Sequence, residues 1–123
     1  MTTPRTVTVH TEDHGDVTMT CPPWCAGHDD DALPVHLVDV AHVGQHQEIW
    51  FRGDLLWTTA LVQYPYATDS VRHDVLVYAE QEWHANSFDP AGLVELADTL
   101  AVHAERLRTL AERLTEMQEE TGQ

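Results

Sequence analysis

A chain of 123 residues with 21 Asp and Glu against six Arg and no Lys carries a formal net charge of −15. Such a surface repels phosphate backbones and anionic membranes, which argues against direct nucleic-acid binding. The length fits a single domain, 1–123, with a core modest enough for a metal staple to matter, and no segment has the apolar length of a membrane span or signal peptide, so a cytoplasmic location off the membrane is expected.

Residues 5–10 and 16–21 alternate, with Val7, Val9, Val17 and Met19 on one face and Thr6, Thr8, Thr18 and Thr20 on the other. Joined through Glu12-Asp13-His14-Gly15, they predict a hairpin that delivers Cys21. Residues 26–34 are polar and read as a loop, and residues 35–43 fit either a short strand or a helical turn. Glu48–Arg52 and Leu55–Tyr64 form a second hairpin in this reading, with Gly53-Asp54 as its turn and Pro65 as its stop. Asp74–Trp83 supplies a further strand. About five strands in succession predict an antiparallel sheet, and Trp50, Trp57, Tyr64 and Tyr78 are assigned to packing on it.

The period then changes. Asp89 is placed as N-cap with Pro90 at the first helical position, and Leu93, Leu96, Leu100, Leu107, Leu110, Leu114 and Met117 follow helical spacing to about residue 119. With Leu93 at heptad position a, His103 takes the one d position without an apolar residue, read as a tolerated seam irregularity, and Ala97, Ala104 and Ala111 fall at e, where small side chains allow close approach. The fold class is therefore α+β: a hairpin and zinc knuckle over 5–47, strands over 48–84 and a long C-terminal helix over 89–119.

Chemistry concentrates in Cys21-Pro22-Pro23-Trp24-Cys25-Ala26-Gly27-His28, which holds both cysteines of the chain. Two thiolates and an imidazole within eight residues suit a tetrahedral Zn²⁺, and the spacing leaves His36, His42 and His46 open as fourth ligand. Pro22 and Pro23 stiffen the loop, which reduces the entropy lost when the thiolates are fixed. Asp39 is a candidate acceptor for the second nitrogen of His42, and Asp29-Asp30-Asp31 reads as a solvated loop. Four protein ligands make a structural site; a catalytic zinc keeps one position for water. The chain has no glycine-rich phosphate loop, no nucleophile elbow and no Cys-x2-Cys redox motif.

Cys21-Pro22-Pro23-Trp24-Cys25 with His28, then Val38-Asp39-Val40-Ala41-His42-Val43-Gly44 and the Asp89-Pro90-Ala91-Gly92-Leu93 helix opening, resemble a family of small, uncharacterised actinobacterial and actinophage proteins with a Cys-Pro-x-Trp-Cys…His signature. The resemblance spans most of the chain and implies Cys21, Cys25, His28 and His42 as the metal ligands. It implies no activity. The expected function is a non-catalytic, zinc-stabilised protein-interaction module that binds a protein partner or a second copy through the C-terminal helix. The alternative is an acidic regulator that covers a basic, nucleic-acid-binding surface on another protein.

Overall fold

The computed structural model describes residues 5–29, 31–82 and 85–121. Strands β1 (Arg5–Thr11), β2 (Gly15–Cys21), β3 (His42–Val43), β4 (Gln47–Phe51), β5 (Asp54–Gln63) and β6 (Leu76–Gln81) precede one helix, α1 (Pro90–Thr121). The fold is α+β with antiparallel sheets. β1 and β2 form a two-stranded sheet of their own; the other four strands form a second sheet in the order β3-β5-β4, with β6 also pairing β5. The division of the expected strand run has a local cause, because Pro22 and Pro23 directly follow β2 and have no amide hydrogens with which to continue a ladder.

The chain divides into two compact units, one from residues up to His46 together with Ala60–Tyr78, the other from Gln47–Thr59 together with Ala79 onward. In the first, the β1–β2 register sets Val7 against Met19, Val9 against Val17 and Arg5 against Cys21. Thr8 and Thr18 join hydroxyls across the outer face at 3.0 Å. At the turn, the Thr11 hydroxyl donates to the Gly15 carbonyl and accepts from the His14 amide. Along β2, burial rises from half-buried Val17 to buried Met19 and Cys21, while Val7 and Val9 on β1 are half-buried. The ambiguous segment 35–43 resolves into a 3-10 turn at Leu37–Asp39 followed by β3, whose His42 and Val43 pair with Gln63 and Val62.

In the second unit, Phe51 pairs directly with Asp54, so the turn residues are Arg52 and Gly53, at φ 50° and 84°. Two successive positive φ values make a type I′ turn, whose twist matches the flanking strands. The turn therefore starts one residue earlier than the expected Gly53-Asp54 pair, and Asp54 opens β5. A bulge between Ile49 and Trp50 shifts the register. Ile49 and Phe51 are buried while Trp50, between them, points outward and is 54% exposed. Tyr78 is exposed too, and Trp57 and Tyr64 are half-buried, so these aromatic residues serve the sheet by cross-strand packing, Trp57 opposite Ile49 and Trp50 opposite Leu55, rather than by filling the core. The strand expected over 74–83 is shorter at its start: Asp74 closes a 3-10 turn, Val75 is buried, and Trp83 lies outside the described residues.

The α1 start follows its sequence. Asp89 Oδ1 accepts from the Gly92 amide at 2.8 Å, and the Leu93 amide reaches the Asp89 carbonyl at 3.0 Å. A side chain at Gly92 would meet Asp89 Oδ1 at 3.1 Å and the Phe88 ring at 3.2 Å, which is why glycine sits there. Arg52 fastens the same corner: it donates to Glu95 Oε2 through Nε and Nη2 and lies over the Phe51 and Phe88 rings, themselves edge-to-face at 5.8 Å. The helix has 32 residues, about 48 Å at 1.5 Å per residue. Its covered stripe is the d column, with Leu96, Leu110 and Met117 half-buried and His103 buried. Of the a column, Leu93, Leu100 and Leu107 remain 55%, 42% and 41% exposed, while Leu114 is half-buried. His103 is thus no mere irregularity but the most covered residue of that stripe, because its flat ring lies against Trp57.

Candidate metal centre

Three local devices assemble the site. The inner face of β2 ends in Cys21, which points the thiol inward. The Cys25 amide then bonds the Pro22 carbonyl at 3.1 Å, a tight turn that returns the second thiol toward the first. Gly27, at φ 111°, lets the chain reverse before His28. The fourth residue arrives from β3: the Ala26 amide donates to the Val43 carbonyl at 2.9 Å and the Gly44 amide to the Leu61 carbonyl at 2.9 Å, locking His42 beside the knuckle. Gly44 is small because a Cβ there would stand 3.3 Å from the Trp24 carbonyl oxygen and 3.4 Å from Leu61 Cβ.

The result is a cluster of Cys21, Cys25, His28 and His42 whose ligand atoms all lie within 4.8 Å of one another. Cys25 Sγ and His28 Nε2 are 3.5 Å apart. Sulfur at about 2.3 Å and nitrogen at about 2.0–2.1 Å from one tetrahedral ion would be separated by roughly 3.6 Å, so this edge already has a metal-site length. The two imidazoles stand edge-to-face at 5.5 Å. Cys21, Cys25 and His42 are only 5%, 4% and 3% exposed. His28 is half-buried and borders a cavity of about 180 Å³ together with Val9, His10 and Val40, so it is the member of the cluster on the solvent side.

Electrostatics fit the same role. Burial holds the His28 and His42 pKa values below the ordinary histidine value, and His28 and Arg5 lower His42 further, so both rings are neutral donors at pH 7. Burial and the adjacent Cys25 push the Cys21 thiol upward, which opposes a bare thiolate pair and favours one shared by a cation. His42 Nδ1 is buried with no hydrogen-bond partner. A buried polar atom left unpaired costs about 1–3 kcal/mol, and a bound ion removes that cost if this nitrogen is the donor. Both cysteines are free thiols. These four residues can bind a metal ion.

A family model described as a domain of unknown function, DUF6907, matches residues 6–116. The chain belongs to that family. No curated protein and no solved structure matches it. The matched span contains all four clustered residues and the first 27 positions of α1, Pro90 to Glu116.

The other candidates lie elsewhere. His36 is exposed, with Nε2 3.6 Å from Glu12 Oε2 and Nδ1 3.9 Å from Asp13 Oδ2. His46 is exposed and outside the cluster. Asp39, expected to orient His42, is exposed in its 3-10 turn and forms no bond to the ring. Asp29 Oδ1 accepts from the Asp31 amide at 2.9 Å, a loop-capping role, while Asp30 lies outside the described residues. One residue at the site went unread in the sequence. Arg5 donates from Nη2 to the Cys25 carbonyl at 2.6 Å, and its positive charge partly offsets the rise in the Cys21 pKa. Its signal was the hairpin register, which sets it opposite Cys21.

Proposed function

We propose that the protein is a non-catalytic interaction module in which a structural Zn²⁺ on Cys21, Cys25, His28 and His42 fixes the first unit while α1 offers a docking surface to a protein partner, a second copy included. Zinc is the metal that two thiolates and two imidazoles favour, and four protein ligands leave a tetrahedral ion no place for water. The observation that carries the interaction reading is the α1 surface. Its d column is covered, yet Leu93, Leu100 and Leu107 stand 41–55% exposed in the adjacent column, with Val94 at 61% nearby. A repeated apolar column on an already docked helix is the kind of surface that a second helix covers. Size-exclusion chromatography with light scattering tests this: the reading expects a dimer or a stable complex, lost on truncation after Leu107. A full-length monomer that purifies without any partner would end it.

A second reading has its own observation. Asp98, Glu105, Glu112 and Glu119 recur every seven residues and are all exposed, an acidic stripe along α1 on a chain of net charge −15. Such a stripe supports an acidic regulator that covers a basic, nucleic-acid-binding surface of another protein, with affinity falling steeply as salt rises. A partner complex whose affinity is unchanged between 50 and 500 mM salt would exclude it. The thiol ligands support a reducing, cytoplasmic setting, and the lysine-free, Ala-, Val- and Asp-rich composition supports an actinobacterial or actinophage source.

A further inference from the structure

We infer that the exposed face of α1 receives an amphipathic helix with a basic flank, supplied by another protein and not by a second copy of this chain. The inference rests on the interaction reading above and narrows its partner. A helix packed on one surface needs an apolar stripe about 100° wide. At about 100° per residue, the apolar arc of α1 runs from the d column through a and e to b, about 160° round the helix. The sheet covers the d edge, where His103 meets Trp57. Leu93, Leu100 and Leu107 and, beyond them, Val94, Ala97 and Ala101 remain exposed. Ala97 and Ala101 keep the outer part of the arc low, so a second helix can lie close along the leucine column, which runs about 21 Å from Leu93 to Leu107.

Charge selects the partner. The next column round, about 140° from the leucines, holds Asp98, Glu105, Glu112 and Glu119, all exposed, and forms the outer rim of the arc. The arginines of α1 do not line this rim in turn: Arg106 and Arg113 fall on the g column, about 100° further round, and Arg108 donates to Glu105 at 2.5 Å.

A second copy fits this face badly. In an antiparallel pair around a two-fold axis the two acidic columns lie side by side, and any self-pair brings together chains of net charge −15. A row of Lys or Arg beside the partner's apolar seam turns the same column into a set of rim ion pairs. Those pairs set register and the rate of encounter, while the leucine seam supplies most of the affinity.

The test titrates the full-length chain, by isothermal titration calorimetry, with a synthetic helical peptide that carries a leucine seam and a row of lysines on one flank. A twin peptide has glutamates in place of the lysines. The lysine peptide should bind at least about tenfold more tightly than its twin, and should lose about tenfold in affinity as salt rises from about 50 to about 500 mM. Ala97→Gln places uncharged bulk in the exposed arc, and Asp98→Lys with Glu112→Lys reverses two exposed acids. Each change should weaken the lysine peptide about tenfold while circular dichroism shows unchanged helix content. The same reversal at Asp31 and Asp39, exposed in the first unit, should leave binding within about twofold. Equal affinity for the two peptides overturns the inference, as does an equal loss from the Asp31 and Asp39 reversal, which would mean attraction to net charge alone. Protein that self-associates in light scattering and does not bind the lysine peptide keeps the interaction reading and removes this inference; a full-length monomer that purifies alone and binds neither peptide removes both.

Discussion

The imidazole of His103 lies 5.9 Å from the indole of Trp57, centroid to centroid and tilted by 33°, with its Nδ1 buried and unbonded. Burial, and secondarily the charge of Arg106, hold the His103 pKa below that of a free histidine. The group faces Arg106 on its own helix and, across a shared cavity of about 250 Å³, Glu48 of β4. For a lowered histidine pKa the sign is fixed. Above the unfolded value of about 6.5 both states are neutral and stability is complete; as pH falls below it the unfolded chain takes up the proton first, and stability is lost until the folded value is passed. Urea unfolding followed by tryptophan fluorescence should therefore show a midpoint that drops from pH 7 to pH 5, and His103→Leu should flatten that drop. Parallel pH profiles in the two proteins would remove His103 as its source.

Metal removal should act regionally. The binding free energy of a structural zinc site, about 10–16 kcal/mol in small domains at pH 7, is folding free energy. Chelation, or Cys25→Ser, should abolish metal binding by native mass spectrometry and strip hydrogen-exchange protection from β1, β2 and β3. The α1 amides, whose capping and Arg52 contacts lie in the other unit, should keep more of theirs. Uniform protection with and without metal would show that the site is not a staple.

The histidines should separate cleanly. His42 is buried within the cluster, so His42→Ala should lose the metal, and His28→Ala should weaken it at least as far as exposing one coordination position to water. His36→Ala and His46→Ala should retain full metal content, since both rings are exposed and outside the cluster. Metal analysis of the four variants decides the matter, and loss of zinc from His36→Ala would be the damaging result.

These residues also show why part of the fold was legible in the sequence and part was not. The first hairpin, the helix cap at Asp89 and the Cys21, Cys25 and His28 knuckle are local: alternation, capping chemistry and short spacing act within a few residues, and the structure keeps them. The choice of His42 over His36 and His46 is not local, because it depends on the β3–β5 pairing and on the Ala26 to Val43 bond, which no spacing rule encodes. Arg5 was hidden for a similar reason: exposed on an edge strand, it looks like any surface cation until the register is counted. The heptad periodicity marked an apolar helix face but not which column would dock, and the choice of d over a follows from the ring of His103 fitting against Trp57.

The two helix columns should respond differently to charge. Leu100 is 42% exposed and borders the same cavity as Leu96, but its carboxylate replacement can turn toward solvent, so Leu100→Glu should lower the thermal midpoint by only a few degrees, roughly 1 kcal/mol. Leu96 is half-buried, borders a cavity with Phe51, Leu56 and Trp57, and belongs to the covered column. Leu96→Glu sets a carboxylate against that apolar wall and should cost about 2–4 kcal/mol, seen as a lower midpoint and loss of the tryptophan signal. Under the interaction reading the order reverses in light scattering: Leu100→Glu, though well folded, should yield a monomer or fail to hold the partner. A Leu100→Glu protein that is as associated as wild type would move the docking surface off this column, whatever its effect on stability.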